Sequence, residues 1–222
     1  MSKVIVITGA TGVLGNLTAK TFAAQGYSLA LLDHDQTKLD SLTRDLNLPN
    51  ERLFTSIVDL RNGQAVQDSA EAVSKKFSSV HSLIHLVGGW MGGKTLAETG
   101  AEDLESMLGQ HVWTTFNLFH AFSPLLAANN WGRVITISPA TVSNPPAKRG
   151  VYTATKAAQD TLVLTLAAEL KESGVTANII QVRAIDTENK GTGTTPAEIV
   201  AAMQYLFSDE ARKITGARIP LY

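Results

Sequence analysis

Short apolar runs recur along the chain at Lys3–Thr8, Ser28–Asp33, Arg52–Val58, Ser82–Val87, Gly132–Ser138, Thr176–Val182 and Ala217–Tyr222. Between them lie stretches with helical spacing: Leu14–Gln25, Gln36–Leu46, Gly63–Phe77, Ala101–Asn129, Val151–Ser173 and Pro196–Phe207. A strand that is apolar at almost every position is buried on both faces, as in a parallel sheet covered by helices. Right-handed crossovers between such strands give a doubly wound fold, with ligands at the carboxyl ends of the strands. The pattern predicts an α/β protein of Rossmann type: a seven-stranded, mostly parallel sheet with helices on both faces. No repeat, low-complexity segment or linker interrupts it, so residues 1–222 read as a single domain. Pro145-Pro146 and Gly191-Thr192-Gly193 mark loops, the first beside the expected ligand crevice.

Composition narrows the class. A hydrophobic share of 44% supplies a sizeable core. A net charge of −1 gives no electrostatic footprint for nucleic acid or an anionic membrane. The absence of cysteine excludes disulfides, thiol catalysis and cysteine-ligated metals. The five histidines lack a metal-binding spacing, so no metal is expected. Met1-Ser2-Lys3 is followed by only four apolar residues before Thr8-Gly9, too few for a signal peptide or a membrane span. A soluble cytoplasmic protein is the expectation.

The first apolar run enters the turn Thr8-Gly9-Ala10-Thr11-Gly12-Val13-Leu14-Gly15, which opens a helical stretch. Free backbone N–H groups at a helix start, with the positive end of the helix dipole, attract phosphate. Glycine lets the backbone approach the ligand without a Cβ in the way. The same turn also serves as a plain connection between strand and helix. The second strand ends at Asp33, which can accept hydrogen bonds from adenosine ribose hydroxyls and repel a 2′-phosphate. No Lys or Arg lies in the glycine loop or directly after Asp33, which favours NAD over NADP. The alternative role for Asp33 is to cap the next helix. Asp59-Leu60 places a carboxylate where an adenine amino group can be read, and Val87-Gly88-Gly89 leaves room for a cofactor against the backbone.

Tyr152 and Lys156, four apart, share one helix face. A phenol titrates at about pH 10, and a nearby ammonium lowers that value. The pair can then exchange a proton with a carbonyl or alcohol oxygen as a hydride moves. The plainer reading is an amphipathic helix with an exposed lysine.

Taken together, these pieces resemble the short-chain dehydrogenase/reductases over essentially the whole chain. The resemblance rests on Thr8–Gly15, Asp33, Asp59-Leu60, Tyr152-x-x-x-Lys156, Asn178, Ile185-Asp186-Thr187, and a tail of Leu206–Ala211 with Ile214-Thr215-Gly216. It implies an NAD-dependent oxidoreductase acting on a small carbonyl/alcohol substrate. Tyr152 would be the acid/base, and Lys156 would bind the nicotinamide ribose and lower the Tyr152 pKa. Gly9, Thr11, Gly12, Val13, Leu14, Gly15, Asp33, Asp59, Leu60, Val87 and Gly88 would hold the rest of the cofactor. Ile185 and Thr187 would contact its nicotinamide end. Relatives pair the helices that match Ala101–Asn129 and Val151–Ser173, which implies a homodimer or homotetramer.

The chain also departs from the family pattern. Val13 occupies the usual central glycine position, and the glycine has moved to Gly12. Pro139 falls where the catalytic serine usually stands, and proline offers no donor. Ser138 is one residue too early and serves only if the loop shifts; Thr141 and Ser143 are further stand-ins. Losing one donor to a reacting oxygen costs about 100- to 1000-fold in rate. His111 replaces the usual mid-helix asparagine, either as a proton shuttle or as a packed residue. Val182-Arg183 replaces Pro-Gly, and Arg183 either binds a substrate carboxylate or points to solvent. Glu188–Thr195 is short for a lid, and Trp90, Met91 and Trp113 are candidates to line an open pocket. These departures motivate an alternative, a catalytically weakened NAD(H)-binding sensor or scaffold. The shifted glycine also hints at sugar-nucleotide epimerases, but the chain leaves no room for their substrate domain.

Overall fold

The computed structural model describes residues 2–222, so Met1 lies outside the described residues. The strands are β1 (Val4–Thr8), β2 (Ser28–Asp33), β3 (Leu53–Ile57), β4 (Ser82–His85), β5 (Gly132–Pro139), β6 (Val175–Val182) and β7 (Arg218–Pro220). The helices are α1 (Val13–Ala24), α2 (Gln36–Leu46), α3 (Gly63–Phe77), α4 (Ala101–Met107), α5 (Thr114–Ala127), α6 (Gly150–Glu169) and α7 (Pro196–Phe207). The strands form one sheet in the order β3-β2-β1-β4-β5-β6-β7. Every neighbouring pair is parallel, so the sheet expected to be mostly parallel is wholly so. Each strand is joined to the next by a crossover that brings the chain back to the amino ends of the strands.

All residues of β1, β2, β4 and β6 are buried, which explains why these strands read as unbroken apolar runs. One face of the sheet packs on α1, α2 and α7 through residues such as Phe22, Leu39 and Met203. The other packs on α3, α5 and α6 through Val66, Phe122 and Val163. The strand order reverses direction between β1 and β4, and that switch point opens a crevice at the carboxyl ends.

Local chemistry sets the helix ends. The Asp35 side chain accepts from the Lys38 N–H at the start of α2, and Asn62 accepts from the Ala65 N–H at the start of α3. The stretch 101–129, expected as one helix, is interrupted by a π-helical turn at Leu108–Trp113. Thr114 and Thr115 there donate their hydroxyls to the carbonyls of Gln110 and His111, four residues back, competing for acceptors of the backbone ladder. The helix expected over 151–173 ends at Glu169, and a single tight turn carries the chain to Gly174 at φ +69°. No helix among the described residues is long and apolar enough to cross a membrane.

Candidate active site

The turn after β1 is built around Gly9, whose φ of +67° suits glycine, and Gly15, where a Cβ would overlap the Gly9 carbonyl oxygen. Gly12 caps α1 with no side-chain hydrogen bond, and the first turn carries no acid. The leading N–H groups of α1 thus face the crevice with no side chain to cap them, an arrangement that fits a phosphate.

Two clefts run along the strand ends. The first, about 340 Å³, is bounded by the glycine loop, Val87–Gly89, Ser138, Pro139, Tyr152, Lys156 and the segment from Val182 to Thr187. The second, about 410 Å³, is bounded by Asp33, His34, Val58–Arg61, Gln110 and Thr114. Val87 and Gly88 border both, so the two form one groove. A Cβ at Gly88 would stand 3.4 Å from Lys156 Nζ, so this wall lies directly against the lysine.

Asp33 does not cap α2, a role taken by Asp35. Its Oδ2 accepts from the Thr11 N–H at 2.9 Å, and its Oδ1 accepts from the N–H groups of His34 and Asp35. Thr11 therefore binds Asp33 through its backbone and borders neither cleft, unlike Gly9, Gly12, Val13, Leu14 and Gly15. Asp59 and Leu60 border the second cleft. The Asp59 carboxylate is forked by Arg61 at 2.8 Å, which holds it below the usual carboxylate range. The Arg61 guanidinium and the His34 ring also border this cleft, and the sequence reading did not single them out.

In the first cleft, Lys156 is buried and donates to the Ile137 carbonyl at 3.1 Å and to Gln159 Oε1 at 2.8 Å. Burial pushes its pKa down to about 8. The resemblance implies a lowered phenol at Tyr152; instead burial pushes the Tyr152 phenol up, partly countered by Arg149. The Ser138 Oγ is buried at the cleft wall and has no hydrogen-bond partner.

His111 is fully buried in the π turn, behind Gly88 and Gly89. Its Nδ1 lies 2.8 Å from Thr155 Oγ1, and its Nε2 meets the Gly89 backbone. Its ring packs edge-on to Tyr152 at 5.5 Å between centroids. Burial and the Lys156 charge bring its pKa down to about 4, so the ring is neutral near pH 7. Trp90 and Trp113 are exposed and border neither cleft, so they do not line the crevice. Ile185 and Thr187 do border it, beside Arg183, whose guanidinium lies 5.8 Å from the Tyr222 ring. The segment after Thr187 folds back because Asp186 accepts the N–H groups of Lys190, Gly191 and Thr192.

His85, Thr115 and Gln159 are among the buried polar residues that sequence reasoning missed. His85 carried a signal, a histidine inside an apolar strand run. Gln159 carried a fainter one, three residues beyond Lys156 on the same helix.

Comparison with known proteins fits this geometry. A family model described as short chain dehydrogenase matches residues 3–196. An uncharacterized oxidoreductase of Staphylococcus epidermidis is 26% identical over 185 residues, 83% of this chain and 79% of that one. Sulfoacetaldehyde reductase 2 of Chromohalobacter salexigens is 26% identical over 189 residues, 85% and 75% of the two chains. The structure of a 3-ketoacyl-(acyl-carrier-protein) reductase from Brucella melitensis, complexed with NADH, superposes with a TM-score of 0.90. It covers 99% of this chain and 96% of its own at 21% identity, a likeness of fold. With the family match spanning most of its length, the chain belongs to the short-chain dehydrogenases.

Proposed function

We propose that the protein transfers hydride between NAD and a small carbonyl or alcohol substrate, with Tyr152 as acid/base and Lys156 assisting. The observation that carries this reading is the meeting of Tyr152, Lys156 and Ser138 on the cleft that also receives the glycine loop. The first turn of α1 would hold the pyrophosphate, and Asp33 the adenosine ribose. The negative charge of Asp33 is the ground for preferring NAD to NADP. Leu60 and Asp59 would border the adenine, and Ile185 and Thr187 the nicotinamide end. When bound, the dinucleotide supplies the carbon that gives or takes the hydride.

The protein's own groups handle the proton. A phenol with a raised pKa keeps its proton at neutral pH, which suits donation to a carbonyl oxygen as charge builds there. Lys156 has three N–H groups, two of them committed to Ile137 and Gln159, which leaves one for a ribose hydroxyl. Ser138 Oγ, buried without a partner, would donate a second hydrogen bond to the substrate oxygen. His111 would hold the Tyr152 ring from the side. The working protein would be a cytoplasmic homo-oligomer.

The test follows nicotinamide absorbance with a panel of ketones, aldehydes, quinones and pterins. Tyr152→Phe should lose about 100- to 10,000-fold in kcat while still binding NAD. Full activity in Tyr152→Phe would sink the reading. Pro139, in the usual serine position, supports a second one: an NAD(H)-binding sensor or scaffold with weakened chemistry. It predicts tight NAD(H) binding, no turnover on any panel member, and no effect of Ser138→Ala.

A further inference from the structure

Behind Lys156 lies a buried chain of polar side chains that the proposed chemistry leaves unused. Gln159, which accepts from Lys156 Nζ, donates through Nε2 to Thr115 Oγ1 at 2.7 Å. Thr115 Oγ1 lies 2.6 Å from the His111 carbonyl oxygen and 3.0 Å from His85 Nε2. His85 Nδ1 lies 2.8 Å from Thr8 Oγ1. Thr8, His85, Thr115, Gln159 and Lys156 are all buried, so water does not compete for these bonds.

The proton of each group in this chain has one place to go. A hydroxyl carries a single proton, and that of Thr115 goes to the His111 carbonyl, which can only accept. Thr115 Oγ1 therefore accepts from both Gln159 and His85. His85 must carry its proton on Nε2, and its Nδ1 accepts from the Thr8 hydroxyl. The ring is then neutral, in keeping with a pKa pushed by burial down to about 3. The Gln159 amide cannot turn over either. A flip would set its NH₂ against the Lys156 ammonium and its oxygen against the Thr115 lone pairs.

We propose that Thr115, itself held by His85 and Thr8, is a positioning residue for Lys156, because it locks the Gln159 amide with its oxygen toward Nζ. The lock gives the ammonium a fixed second acceptor beside the Ile137 carbonyl and aims its remaining N–H at the cleft. The functional meaning of this rests on the proposed role of Lys156; the hydrogen-bond chain does not. The other titratable groups around Lys156 are Tyr152 and Asp160 on α6, His111 from the π turn and His85 from β4. Both histidines are neutral near pH 7. Asp160 pairs with Arg218 at 3.0 Å and still favours the charged lysine.

The test is the titration of Lys156 in the free protein, read by NMR with ¹³C-labelled lysine. Gln159→Leu removes an acceptor and should lower the midpoint by about one pH unit. Thr115→Val removes only the lock and should lower it by about half a pH unit, and Thr115→Ser should restore it. A purely structural role would lower Tm in Thr115→Val and leave the Lys156 midpoint in place. A midpoint within about 0.2 pH units of the parent in Thr115→Val, whether or not Gln159→Leu shifts it, would overturn the proposal. Absence of NAD binding or turnover would count against the functional reading alone, since the titration needs no ligand.

Discussion

The Asp33 carboxylate accepts the backbone N–H of Thr11 at 2.9 Å, so the end of β2 holds the middle of the glycine loop. One side chain thus shapes the loop and, in the proposed function, sets a carboxylate at the ribose end of the groove. Asp33→Ala leaves three backbone N–H groups without that acceptor, a cost of about 1–3 kcal/mol for each one left buried and unpaired. Calorimetry should show NAD affinity reduced about 10- to 100-fold and the preference over NADP erased. An unchanged ratio of the two affinities would remove Asp33 as the discriminating group.

Lys156 gives the groove an alkaline limit. Its pKa is depressed by burial to about 8, so it is charged at neutral pH and neutral well above that value. NAD affinity should fall as pH rises from 7 to 9, with a midpoint near the lysine pKa. Stability should move the opposite way. Between about pH 8 and 10.5 the unfolded chain holds a lysine proton that the folded chain has released, so this group favours folding more as pH rises. Affinity that stays flat across pH 7–9 would mean that the Lys156 charge does not touch the ligand.

Two buried histidines set an acid limit. The folded pKa values of His85 and His111 are lowered from 6.5 to about 3 and about 4. Below about pH 6.5 the unfolded chain takes up protons that the folded chain refuses, so stability falls as pH falls. Each histidine contributes a slope of up to about 1.4 kcal/mol per pH unit in that window. Urea unfolding should therefore show a loss of about 2–3 kcal/mol between pH 6 and 5 from this pair. His85→Leu should flatten that slope by about half, whatever its stability at pH 7. An equally steep slope in the variant would refute the assignment.

Trp113 and Phe116 stand exposed on the π turn and α5, edge to face at 6.0 Å, with His120 stacked on Phe116. Adjoining apolar groups in the open are candidates for a contact surface. If this face joins two copies of the chain, Phe116→Glu should convert the parent dimer or tetramer to smaller species in sedimentation runs. A parent protein that sediments as a monomer would end that expectation.

Most of the architecture was legible along the chain because parallel strands buried on both faces leave a plain signature. The runs at Ser28–Asp33 and Gly132–Ser138 became β2 and β5 within a residue of the expected bounds. Gly9, Gly15 and the Tyr152–Lys156 pair were legible for a similar reason, since each depends on short-range geometry. What the sequence did not show at Thr11 is the partner of its backbone N–H, since Asp33 takes it from 22 residues away. The stretch 101–129 misled because helix propensity does not distinguish an α from a π turn.

The sequence by itself determined the strands, the glycine turn, the acid at the end of β2 and the shared helix face of Tyr152 and Lys156, all local in origin. The tertiary structure decided which way the protons and charges lie. Burial depth raised the Tyr152 phenol and lowered Lys156, and burial depends on what the rest of the chain packs against. Of the two partners of Lys156, Gln159 lies one helix turn on and the Ile137 carbonyl comes from β5, while Thr115, His85 and Thr8 reach Gln159 from α5, β4 and β1. Those elements meet only because the parallel crossovers set β1 beside β4 and lay α5 and α6 over the same face.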